Sequence, residues 1–172
     1  MKLNNINLQT MGEFASAVSA DPAKAQMRKR AEGEWNFADG EPQFRAVMPH
    51  AAGQTTVQSD FAPPMGGAGL APDPIQYCLF GLCACYTGTF VQIAAEQGVA
   101  LRRVKTVVEN QIDLTRAFGL SQNPMVKAVT ITIDVDADAP REVIERIKAE
   151  AANKCPGVYC VSNPIPLTIE LA

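Results

Sequence analysis

The segment from Ile75 to Gln97 constrains this chain most, because its first four turns are apolar on nearly every face and both of its ends are punctuated. Asp73 suits an N-cap, Pro74 a first helical position, and Gly98 the left-handed residue that closes a helix. A helix opening at about residue 74 is therefore expected, and one that is apolar all round has to be buried. Its most apolar part, Tyr77 to Val91, is interrupted by Gly81, Thr87, Gly88 and Thr89. That part falls short of the roughly 20 residues of a membrane span and reads as the core of a soluble protein.

The remainder of the chain has to cover that helix. With 172 residues, 47% of them hydrophobic, it has the size of one domain able to bury a core. Met11 to Met27 is Ala-rich, with Phe14, Val18 and Ala25 apolar and Asp21-Pro22 as a restart, and predicts one or two short helices. Arg30 to Phe37, Gln43 to Met48 and Thr55 to Phe61 are near-alternating pieces separated by Asp39-Gly40 and by Pro49 to Gly53, which predicts an antiparallel meander. The glycines from Gly66 to Gly69 lie between Pro63-Pro64 and Pro72 rather than joining a strand to a helix, so they read as a loop and not as a nucleotide cradle.

Beyond Gly98, Arg103 to Thr115 and Val126 to Asp136 alternate with β-branched residues and predict two long strands joined around Gly119. Pro140 opens an amphipathic helix with Val143, Ile144, Ile147 and Ala151 on one side, and Pro164 to Leu171 reads as a last strand. The order of elements, without internal repeat or linker, is that of an α+β fold. Residues 1–28 are expected to form a helical extension and residues 29–172 a single domain.

The net charge is −3, from 15 basic and 18 acidic residues with no long basic run, which gives little support to nucleic acid or an anionic membrane as partner. Met1 to Thr10 carries no apolar run of the signal-peptide kind, and a cytoplasmic address is expected.

The chemistry-bearing residues are five cysteines, at 78, 83, 85, 155 and 160, crowded into two short segments. In a reducing compartment such cysteines are buried, metal-bound or reactive. His50 is the single histidine, so any Cys/His or Ser/His pair would have to use it; it reads as a surface residue. On a helix turning 100° per residue Cys83 and Cys85 face nearly opposite ways, while Cys78 and Cys85 share a face about 10 Å apart. Disulfide formation needs Cα atoms within about 7 Å, so a partner for Cys85 has to be Cys155 or Cys160. Zinc is disfavoured, because C-x-C on a regular helix cannot chelate one ion and the Cys155/Cys160 spacing has no matching second pair. Cys155 stands before Pro156 as an N-cap would, a place where backbone N–H groups stabilise a thiolate. Cys85 lies mid-helix, where apolar surroundings raise a thiol's pKa. Which of the two attacks is left open by these residues, and Cys78 and Cys83 read as packing residues.

Leu70-Ala71-Pro72-Asp73-Pro74-Ile75-Gln76-Tyr77 leading to Ala84-Cys85, with Cys155-Pro156 near the end, resembles the OsmC/Ohr family of peroxide-stress proteins over about Arg30 to Leu171. Similarity is greatest to members with an extra N-terminal helix and segments like Ile112-Asp113-Leu114 and Gly119-Leu120. The resemblance implies antiparallel sheets around a long buried central helix, in an intertwined homodimer with thiol sites at the subunit interface. It implies reduction of organic hydroperoxides, with Cys85 as the reactive thiol, Cys155 as the second cysteine, and an external lipoyl-type dithiol as reductant. No metal and no cofactor are implied. In the family's reductases a Glu follows the helix-start proline and pairs with an Arg that stabilises the thiolate. Here that position is Ile75, followed by Gln76, and the candidate cation is Arg45 or an earlier arginine such as Arg30. The alternative is a non-catalytic protein on the same scaffold, holding a small apolar or electrophilic ligand at the dimer interface.

Overall fold

Residues 1–171 are described in a computed structural model of the chain. They fall into two compact units, one built from Met1–Glu13 and from Leu79 onward, the other from Phe14–Cys78. The elements are those of an α+β fold with small antiparallel sheets and one long helix.

In the first unit, β1 (Lys2–Leu3) and β2 (Ile6–Asn7) form a short hairpin turning through Asn4 and Asn5, both with positive φ. The Asn4 amide donates to Val99 O at 2.8 Å and its oxygen accepts from Leu101 N at 2.9 Å, fastening the start of the chain to the turn beyond the long helix. That helix, α2 (Pro74–Glu96), ends where Gly98 adopts φ 71°. The Val99 N–H then bonds back to Ala94 O at 2.8 Å, as a left-handed C-terminal residue allows. Two long antiparallel strands follow, β6 (Leu101–Ile112) and β7 (Val126–Ala137), and then α3 (Arg141–Lys154) and α4 (Pro156–Ser162). Phe90, Ile93 and Ala94 of α2 pack with Val99, Ile147, Ala151 and Cys155, and Ile131, Ile133 and Val135 of β7 close over them. Strand alternation thus turns every second residue of this stretch of β7 toward the core.

The second unit holds most of α1 (Leu8–Ala20) and a sheet of β3 (Gly33–Trp35), β4 (Phe44–His50) and β5 (Gly53–Ser59) in that order. The loop after β5 is organised by Asp60, which is 2% exposed and whose Oδ2 accepts from Ala68 N at 3.1 Å and Leu70 N at 2.9 Å. Those two bonds, Leu70 foremost, hold the Asp60 carboxyl below its usual range against the opposing effect of burial.

Three expectations from the sequence need correction. Pro164 to Leu171 forms no strand among the described residues: its alternating Ile165, Leu167, Ile169 and Leu171 stay exposed, because a single strand needs an edge to pair with. Helix α2, at 23 residues, is long and apolar enough by length and composition to cross a membrane, contrary to the shorter span counted from Tyr77 to Val91. Its Leu82, Tyr86, Phe90 and Ile93 are nevertheless buried against protein, as in a core helix, while Ile75 and Phe80 stay exposed, Phe80 at 67%. Cys78, expected as a packing residue, is exposed as well.

Candidate active site

The site forms where α4 meets α2. Helix α3 ends at Lys154, and Cys155 serves as both its C-cap and the N-cap of α4, in an extended conformation that breaks one helix and starts the next. Its N–H still bonds Ala151 O at 3.0 Å, which fixes the corner to α3. Pro156 occupies the first turn of α4, where its missing N–H costs nothing. The corner drives the Cys155 side chain into the core at 1% exposure, and there its Sγ lies 3.4 Å from Cys85 Sγ and donates to it. Two residues 70 positions apart are thereby in contact as unbonded thiols. Cys160, the other partner left open by the spacing, is exposed on α4.

Gly157 makes this contact possible. A Cβ added there would stand 3.2 Å from Cys85 Cβ, 3.2 Å from Leu82 Cδ1 and 3.4 Å from Cys85 Sγ, so only glycine lets the helices approach without displacement.

Burial pushes the Cys85 thiol up, and the Gly157 N–H, hydrogen-bonding to its sulfur, pulls it partly back. Cys155 adds to the rise through its own hydrogen bond and charge, and Cys160 adds through charge. This reverses one expectation: Cys155 makes no side-chain cap bond to α4, and the N–H of its first turn serves Cys85 instead. None of these influences on Cys85 is a cation. Arg45 stands exposed on β4 in the second unit, between Glu34 and Gln58 in the strand register, and Arg30 pairs with Glu32 at 2.7 Å.

The start of α2 explains what stands in place of an acidic residue at 75. The Ile75 N–H donates to Asp73 Oδ1 at 2.8 Å, and Gln76 Oε1 accepts from Asp73 N at 2.9 Å, a reciprocal capping box. Gln76 is thus committed to the helix end.

Tyr86, one residue beyond Cys85 and 4% exposed, donates to Lys148 O at 3.3 Å; its hydroxyl is raised by burial first, then by the charges of Cys155 and Glu145. Cys83 donates to Thr106 O at 3.6 Å. His50 ties the β4–β5 turn, with Nδ1 accepting from Ala52 N and Nε2 lying 3.3 Å from Thr55 Oγ1. Among the described residues no three His, Cys, Asp or Glu side chains are grouped to hold a metal ion. Gly157 and Tyr86 were missed from sequence. The glycine directly after Cys-Pro was the one available signal, and Tyr86 reads as an ordinary core aromatic.

The family described as OsmC-like protein matches residues 66–170 of the chain by its sequence model. This protein is an OsmC-like family member. Its architecture agrees with solved structures of that fold. An OsmC-like protein from Mycoplasma pneumoniae aligns with TM-score 0.55 at 15% identity, covering 78% of this chain and 89% of its own. An organic hydroperoxide resistance protein OsmC from Legionella pneumophila aligns with TM-score 0.56 at 16% identity, over 80% and 92% of the two chains. An OsmC-like protein of unknown function from Vibrio cholerae gives TM-score 0.57 at 15% identity, over 80% and 95%. No curated protein matches this OsmC-like chain. The resemblance seen in Asp73-Pro74, Cys85 and Cys155-Pro156 therefore named the right family and fold.

Proposed function

We propose that this OsmC-like protein is a two-cysteine redox enzyme that reduces organic hydroperoxides. The observation that supports it most is the 3.4 Å contact between Cys85 and Cys155 across 70 residues of sequence. Cys85, the less buried of the two and the one that receives the Gly157 N–H, is the attacking sulfur. As thiolate it attacks the terminal peroxide oxygen, the O–O bond breaks, and the alkoxide takes up a proton to leave as alcohol. Cys85 is then a sulfenic acid. Cys155 attacks that sulfur, water leaves, and a disulfide holds the two electrons' worth of oxidation. An external dithiol of the lipoyl type resets the pair. The protein works as a cytoplasmic homodimer, with no cofactor and no metal.

The test is thiol titration of reduced protein after one equivalent of an organic hydroperoxide. Loss of two thiols, blocked in Cys85→Ser and reduced to a single oxidation without recycling in Cys155→Ser, is the expected result. Unchanged thiol counts in the wild-type protein would overturn the proposal. The second reading, a binding protein for a small apolar or electrophilic ligand, draws on the raised Cys85 thiol and the lack of a cation among the groups that shift it.

A further inference from the structure

We propose that the Cys85/Cys155 pair is a chelating site for trivalent organoarsenicals, compounds carrying one organic group and two exchangeable oxygen positions on arsenic. It uses the same two thiols as the proposed enzyme but requires no peroxide chemistry.

The geometry carries it. The sulfurs are 3.4 Å apart, well beyond a disulfide bond of about 2.05 Å. A linear two-coordinate ion with metal–sulfur bonds of about 2.3 Å would need sulfurs about 4.6 Å apart, so this pair is too close for one. A pyramidal atom with bonds of similar length and angles somewhat above a right angle holds its sulfurs about 3.4 Å apart. The two thiols are thus already at bridging separation, and because α2 and the α3–α4 corner hold them there, chelation requires little rearrangement.

The ligand count agrees as well. No third His, Cys, Asp or Glu is grouped with the pair among the described residues. A centre that brings its own third substituent is therefore suited, and one that demands three or four protein ligands is not. The substituent is best apolar, since Leu82 lies beside Gly157 and Val158 packs on the same core. Cys85 is half-buried rather than enclosed and leaves a way in.

The chemistry balances without an oxidant. An arsenic-bound oxide condenses with both thiols: two arsenic–sulfur bonds form, the arsenic–oxygen bond breaks, and the oxygen leaves as water carrying both thiol protons. No atom changes oxidation state. A thiol kept protonated by burial, as Cys85 is, supplies one of those protons.

The probe is phenylarsine oxide, titrated into the fully reduced, full-length protein in the absence of peroxide, with free thiols counted afterwards. One equivalent is expected to protect two of the five thiols; a small dithiol should reverse it and a monothiol should not. Cys85→Ser and Cys155→Ser should each weaken retention about 100-fold or more, the loss that follows when a two-point attachment becomes a single one. Cys160→Ser should leave it unchanged. Circular dichroism of each variant checks the fold, and prior closure of the wild-type disulfide offers a control free of mutation, expected to abolish uptake. Retention in Cys85→Ser, loss in Cys160→Ser, or uptake by the disulfide form would each overturn the proposal. Chelation without oxidation by hydroperoxide would remove the enzyme reading alone; oxidation without chelation would remove this one alone.

Discussion

At Cys85 two influences of opposite sign meet, and the larger one sets how the site responds to pH. Burial raises the thiol and the Gly157 N–H lowers it, with burial the stronger. The thiolate is therefore a minor form at neutral pH, and its fraction grows about tenfold per pH unit until the raised pKa is reached. Oxidation of Cys85 by an organic hydroperoxide should accordingly climb from pH 6 through pH 9 without a plateau, as measured by stopped-flow. A flat profile would mean that a cation already holds the thiolate. Gly157 gives a second expectation. In Gly157→Val the added side chain meets Cys85 and Leu82 at the close approach, so α4 has to move away from α2. Disulfide formation should slow at least tenfold while both thiols remain, as quantified by trapping the sulfenic acid. Helical spacing removed the nearer pairings of Cys85 but left Cys155 and Cys160 both open, and the resemblance of Cys155-Pro156 to the family's second cysteine chose between them. Gly157 was not legible in the sequence, since the need for a missing side chain exists only once two helices distant in sequence are in contact.

Among the elements, those that carry their own punctuation were the ones readable in advance. Helix α2 was delimited by Asp73-Pro74 and Gly98, and β6 and β7 were announced by β-branched residues at alternate positions, although β6 runs over Leu101–Ile112 rather than Arg103 to Thr115. What periodicity does not contain is the order inside the connections. Between β6 and β7, Asp113 accepts from Thr115 N at 3.0 Å, Asn123 Nδ2 at 3.2 Å and Lys127 Nζ at 3.2 Å, and its side chain is 11% exposed. These donors, the Thr115 hydroxyl first, hold its carboxyl far below the ordinary range. A lowered folded-state pKa contributes order that is complete above the unfolded value of about 3.9 and is lost only as pH falls through the folded one. Protection factors for amides of residues 113–125 should therefore stay level from pH 7 down to pH 4 in hydrogen-exchange measurements. Asp113→Asn should lower them already at pH 7, because a neutral amide replaces the acceptor of a lysine and three hydrogen-bond donors. Equal protection in wild type and variant would show the loop to be held by something else.

At the scale of the whole molecule, the chain leaves apolar surface open. Phe80 and Ile75 on α2 are exposed, and so are Ile165, Leu167, Ile169 and Leu171, the last four at every second position of a segment that forms no strand among the described residues. The sequence pattern predicted a strand there, which the described residues do not form. It could not say which edge would receive it, since pairing is a property of the assembly and not of the segment. Exposed segments with a strand's apolar period and exposed aromatic residues on helices are what a second copy of a chain covers in a symmetric dimer. We therefore expect sedimentation of the wild-type protein at micromolar concentration to give a homodimer. The double variant Leu167→Lys with Ile169→Lys should shift the species toward monomer. Charge at two alternate positions faces the same side of the strand and has to be desolvated on pairing. Dimerisation unaffected by the double variant would exclude the tail from the interface. A monomeric wild-type protein would remove the dimer altogether, leaving the exposed face of α2 to another partner.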